Sequence, residues 1–326
     1  MRDRPLPPET PGDLKRAATL MLGAMAVIGL IDNFVTFIAA EAGLWQFHAT
    51  RAAMALPILV LVCLAMGWRL RPRRWRPVLL RSLFITVAML IYFACLAVLP
   101  IGQVTAGLFT SPIFVLLISA LFLGERIGPR RVVAVALGFA GILLIARPAG
   151  TELSVIAALP VLAGALYAVG VIGTRHWCAG ESAASLLGSF FLVLGLSGAV
   201  GAVVVVLLPE TLRAAAPEAA AFVLRPWETA PGAGFWLWTL VQAVGSLLAV
   251  GMIVRAYQLV SATRMAPYEY SLLVFASLWA LVLKGEALTA PVLGGMAAIV
   301  AAGLVLARAP VPAPAPVAGR EAGPGA

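Results

Sequence analysis

Charge is scarce in this 326-residue chain, with 11% of positions Asp, Glu, Lys or Arg against 62% hydrophobic. A soluble globular chain carries about 25% charged residues, so the deficit excludes an ordinary soluble domain. Cysteine and histidine are rarer still. Cys63, Cys95 and Cys178 lie far apart with no CxxC or Cys/His ligand spacing, and the histidines are His48 and His176. That pattern fits neither a zinc centre nor a disulfide framework; no metal or cofactor is expected, and the cysteines should pack in apolar surroundings. No cleavage near the N-terminus is expected, because the first apolar run continues past the length of a signal-peptide core without a clean cleavage site.

What is present is apolar and long. Ten runs cover 17–38, 44–66, 78–98, 101–123, 132–146, 153–174, 185–208, 235–258, 265–283 and 291–307. Most approach the ~20 residues that cross roughly 30 Å of hydrocarbon. Length selects helix over strand, and a barrel would show alternating segments of about 10 residues. The expected fold class is an all-α polytopic membrane protein with ten transmembrane helices.

The net charge of +9 does not point to nucleic acid. Arg69, Arg71, Arg73, Arg74 and Arg76 cluster at the end of an apolar run, no RNA or DNA motif accompanies them, and such residues set topology instead. With the N-terminus inside, eighteen of the 23 basic residues, Arg81, Arg255 and Arg264 among them, fall to the cytoplasmic side. Arg147, Arg213, Arg225 and Lys284 fall outside, and Arg51 lies within a helix. Both termini are therefore expected in the cytoplasm of a bacterium, with the body in the inner (plasma) membrane. Residues 1–16 form a cytoplasmic segment, 209–234 an external, partly helical connector, and 309–326, rich in Pro, Ala and Gly, a disordered cytoplasmic tail.

A shift of 161 positions aligns Gly124 and Glu125 with Gly285 and Glu286, and Ala146 and Arg147 with Ala307 and Arg308. Ala136, Ala140 and Leu143 match Ala297, Ala301 and Leu304 in the same register. Each half then holds five crossings, and an odd number inverts the second copy, an architecture that suits carriers with exchangeable openings.

The stretch LPIGQVTAGLFTSPIFVLLISALFLGERIGPRRVVAVALGFAGILLIARP, 99–148, resembles the end of an EamA-type repeat of the drug/metabolite transporter superfamily, above all in its Gly-Glu turn and its Gly-rich closing helix. The second copy, 265–308, keeps Gly285 and Glu286. The resemblance implies a ten-helix carrier built of repeats over 17–148 and 149–308, with cytoplasmic termini and a central cavity. It leaves the substrate open.

Ionisable groups inside spans cost about 2.5–3.5 kcal/mol at a helix centre and so face protein or water. Asp32 and Arg51 sit at similar depth below the outer ends of helices one and two, with His48 a turn before Arg51. Asp32 and Arg51 could pair, as a substrate contact or as an ion pair fixing two helices. With them His48 forms an outward-side polar cluster that could bind or gate substrate, whereas taken alone His48 reads as interfacial. On the inner side Arg255, Arg264 and Glu269 could gate or bind an anion, or the arginines could snorkel to the interface. Gln103, Thr105, Thr110 and Ser111 on helix four, with Tyr92, Tyr167, Gln242, Tyr268 and Tyr270, supply groups that orient a ligand or join helices. Pro112 and Pro267 should bend helices four and nine nearby. Glu125 and Glu286 read as structural carboxylates in turns, and Gly138 and Gly141 as close-packing positions.

These features point to a secondary transporter, an exporter or exchanger of a small polar or amphipathic metabolite working by alternating access. Its partners are membrane lipids and a small-molecule substrate, no nucleic acid is expected, and a homodimer is left open. The competing readings are an intramembrane lipid-modifying enzyme, which lacks a nucleophile with a recognisable base, and a non-transporting membrane scaffold.

Overall fold

The computed structural model describes residues 10–95, 99, 101–125, 127–146, 155–215, 220–285 and 287–308. The tail at 309–326, Glu286 and Arg147 lie outside the described residues, as does the Gln103 side chain.

Among the described residues, ten helical stretches are long and apolar enough to cross a bilayer. The first combines α1 (Pro11–Asp32) and α2 (Val35–Glu41); the second and third are α3 (Leu44–Met66) and α4 (Trp75–Cys95). The fourth joins α5 (Ile101–Leu108) to α6 (Ser111–Leu123), and the fifth is α7 (Pro129–Ala146). In the second half come α8 (Val155–His176) and α9 (Ala183–Leu207), then two short helices of the connector, α10 (Glu210–Ala214) and α11 (Ala221–Leu224). The eighth span is α12 (Ala233–Leu259). The ninth runs through α13 (Ala262–Met265), a 3-10 segment (Ala266–Tyr270) and α14 (Ser271–Lys284), and the tenth is α15 (Ala290–Ala307).

The first helix begins six residues before its apolar run. Thr10 Oγ1 accepts from the Asp13 amide at 3.1 Å, Asp13 Oδ2 accepts from the Thr10 amide at 3.2 Å, and Pro11 opens the first turn. This reciprocal cap satisfies two orphan amides and draws residues 11–16 into the helix.

The halves interlock. Span one packs on spans eight and nine, span six on spans three and four, two on seven, and five on ten. Exchanging every span for its counterpart five positions away maps this set of neighbours onto itself, which is the arrangement of two inverted five-helix halves. Water-driven burial does not hold such spans together, so close contact must. A Cβ at Gly138 would lie 2.2 Å from the Tyr270 ring, and one at Gly141 2.6 Å from the Gly295 carbonyl oxygen, so α7 meets the 3-10 segment and α15 at backbone distance. The outward faces carry the bulk instead: Phe122 is 78% exposed and Leu207 76%.

The repeated Gly-Glu turns have a backbone cause. Gly124 and Gly285 close α6 and α14 with φ of 66° and 67°, the left-handed region that a Cβ disfavours.

One face of the bundle is laced by polar contacts between loops. Glu181 accepts from the amides of Arg73 at 2.9 Å and Arg74 at 2.8 Å, and Gln258 Nε2 donates to the Glu181 carbonyl at 3.0 Å. Glu125 accepts from Thr263 Oγ1 at 2.9 Å and lies 3.8 Å from Arg131. Arg130 donates to the Arg308 carbonyl at 2.9 Å, which brings the end of the tenth span to this basic face. On the opposite face the connector is pinned to α3: Gln46 and the Glu228 backbone exchange two hydrogen bonds of 2.8 Å, and Trp45 Nε1 donates to the Val223 carbonyl at 2.9 Å.

Candidate functional site

Three spans break where polar residues gather. In the first, Asn33 Nδ2 donates to the Gly29 carbonyl at 2.7 Å and Gln242 Nε2 to the Ile31 carbonyl at 2.7 Å. Orphan carbonyls at the end of α1 are thus taken up by side chains. In the fourth, Pro112 has no amide for the Leu108 carbonyl, and the helix stops at Phe109 and Thr110 before α6 resumes. In the ninth, the 3-10 segment contains Pro267. Phe109 and Tyr270, which correspond under the 161-residue shift, meet edge to face at 6.0 Å.

Asp32 is the last residue of α1, nine positions before the end of the span, hence about 13 Å deep at the helical rise. The residue is exposed, so it borders space that water can enter. Gln242 and the charge of Arg51 act on its carboxylate, and Tyr92, hydrogen-bonded to Thr105, feels that carboxylate from α4. Asp32, Arg51, Gln242 and Tyr92 therefore converge from spans one, two, eight and three.

The expected Asp32 to Arg51 ion pair is not closed: no contact within 4.0 Å joins these two described residues. Arg51 is fastened to its own helix instead. Its Cζ stands 4.8 Å over the Phe47 ring, and Nη2 lies 3.2 Å from His48 Nδ1. A guanidinium only donates, so His48 accepts at Nδ1 and carries its hydrogen on Nε2. His48 is not interfacial, being fully buried with its ring edge against Phe93 at 5.0 Å. Arg51 Nε and His48 Nε2 have no hydrogen-bond partner among the described residues.

Toward the basic face a second cluster forms around Glu269, 4% exposed. Tyr257 donates to its Oε1 at 2.7 Å and Tyr167 to the same oxygen at 2.8 Å. One carboxylate therefore ties span nine to spans eight and six. Arg81 acts on Tyr167 by its charge and bridges to Thr174 Oγ1 at 3.0 Å.

Four expectations are corrected here. Arg255 does not meet Glu269; it is exposed on the outside of α12. The reason is helical: Tyr257 faces inward, and a residue two positions away points about 200° round the helix. Arg264 does not snorkel, since it is 3% exposed within α13. Arg81 is no loop residue but is buried inside α4, 2% exposed. Tyr270 is not brought to either polar cluster; it packs against Gly138 and Phe109.

Tyr257 and Arg81 are the site residues that sequence reasoning missed. Arg81 had a signal, because it lies inside the apolar run 78–98 and so within a span. Tyr257 had none beyond its position near the end of the eighth run.

The ten spans, their swapped neighbours and the helix breaks define an all-α polytopic membrane fold. The EamA-like transporter family model matches residues 15–147, the first five spans. A riboflavin transporter of Rhizobium johnstonii is 33% identical over 156 residues, covering 47% of this chain and 50% of the relative. The chain thus spans about half the length of that relative. A pseudopaline exporter of Pseudomonas aeruginosa is 28% identical over 79% of this chain and 84% of its own. A solved crystal structure superposes with a TM-score of 0.72 over 89% of this chain and 97% of the other at 18% identity, a likeness of fold.

Proposed function

We propose that the chain is a secondary transporter that carries a small polar or amphipathic metabolite by alternating access, as an exporter or exchanger, with both termini cytoplasmic. The observation that carries this reading is Asp32, a carboxylate about 13 Å inside a membrane span that remains open to water and faces Arg51 without closing on it. An ion pair that served only to fix helices would gain by closing, because separated charges keep their desolvation cost and lose most of their attraction. Opposite charges held apart suit a substrate that bears both signs or strong dipoles. Gln242 and Tyr92 supply hydrogen bonds beside them.

In this reading the Glu269, Tyr167 and Tyr257 contacts are the closed gate on the basic side, and the site opens to the other side. Transport requires those two hydrogen bonds to part while the connector side closes. The relatives are named for different cargoes, riboflavin and pseudopaline, so their names leave cargo and direction open, and the enzyme and scaffold readings find no support in them.

Reconstituted protein should show saturable flux of at least one member of a broad metabolite panel. Asp32→Asn should lower the flux tenfold or more while the protein stays folded and monodisperse. Folded protein that carries nothing favours the scaffold reading, and chemical conversion of a lipid favours the enzyme.

A further inference from the structure

A groove of about 850 Å³ runs along the outside of the bundle between α1, α3, α9 and α12, ending on the basic face. Its walls are apolar, with Ile58 and Val62 of α3 opposite Val244 and Leu248 of α12. Only the end at the basic face is charged, where Arg69 and Arg255 stand with Trp68. Both arginines are exposed, and Trp68 is 54% exposed. Small residues make the room: the position of a Cβ on Gly251 meets nothing nearer than Leu187 at 3.7 Å.

The dimensions match one lipid. From Val244 to Arg255 the groove follows α12 for eleven residues, about 16 Å at the helical rise. Half of the roughly 30 Å hydrocarbon core is about 15 Å. The cations therefore stand one leaflet's depth from the inner end of the groove, at the level of the headgroups, and tryptophan at such a rim sits where amphipathic rings favour the interface.

We infer that this groove is a binding site for an anionic phospholipid, its phosphate held by Arg69 and Arg255 and an acyl chain laid along α12. The commitments of the two arginines leave donors for it. Arg69 gives Nε to the Arg71 carbonyl at 3.1 Å, and Arg255 gives Nη1 to Gln258 at 3.4 Å, a long contact. A zwitterionic headgroup would bring its own cation against the two arginines, so selectivity for a net negative lipid follows from charge complementarity. The assignment stands independently of the transport reading.

The test is native mass spectrometry of the full chain in detergent, offered equal amounts of phosphatidylglycerol and phosphatidylcholine with the same acyl chains. The wild type should retain phosphatidylglycerol about tenfold over phosphatidylcholine. R69Q/R255Q, which changes only two exposed side chains, should retain both alike, and Gly251→Phe should retain neither. Excess soluble glycerol phosphate should displace nothing. Equal retention by the wild type, an unchanged preference in R69Q/R255Q, or displacement by glycerol phosphate overturns the proposal.

Discussion

At the scale of single residues, Asp32 and Arg51 distinguish a substrate contact from a helix clamp. Their place inside spans was legible in the sequence, since both interrupt apolar runs. Their separation was not, because it depends on Arg51 being held back by Phe47 and His48 on its own helix. Had the pair closed out of water, stripping one member would cost roughly 3–5 kcal/mol. With Asp32 open to water, Asp32→Asn should cost under about 1 kcal/mol, the range of accessible pairs. A double-mutant cycle with Arg51→Gln, read by thermal unfolding and by flux, should show weak coupling in stability and loss of flux in all three variants. Strong stability coupling, with flux restored in the double variant, would return the pair to a structural role.

At the scale of elements, spans are easy to read and their interruptions are not. Hydropathy averages over about 20 residues, so it sees the first run as continuous, although Asn33 and Gln242 divert the carbonyls that would have continued α1 into α2. Proline leaves a clearer mark, and the breaks next to Pro112 and Pro267 follow from the missing amide. Glycine can be read as a packing residue, but its partner cannot. Gly138→Ala forces a methyl into the Tyr270 ring, and Gly141→Ala separates α7 from α15. Overpacking of this kind costs about 1–3 kcal/mol. Gly303 has nothing within 4 Å of its Cβ position, so Gly303→Ala should be neutral or slightly stabilising through helix propensity. Thermal melting in detergent should rank the three accordingly; equal melting temperatures would show that α7 and α15 are not held by that contact.

At the scale of the whole molecule, the swapped neighbours make orientation a single question, because ten crossings among the described residues put Thr10 and Arg308 on one face. The fold was legible from run lengths and the 161-residue shift, whereas the lacing of that face by Glu181 and Glu125 was not, since it joins loops about a hundred residues apart. Charge counting survives the loss of Arg81 and Arg264 from the loop set, because the cluster from Arg69 to Arg76 lies in or beside the loop between spans two and three. That loop and the connector at Glu210 lie on opposite faces. The natural cysteines leave the labelling background low: Cys63 and Cys95 are buried in spans, and burial pushes the Cys178 thiol up to about 11, so little thiolate exists near neutral pH. In intact cells an impermeant maleimide should label Glu210→Cys and leave Arg71→Cys untouched until the membrane is opened. The reverse pattern would place the basic face outside and turn the proposed gate at Glu269 into the external one.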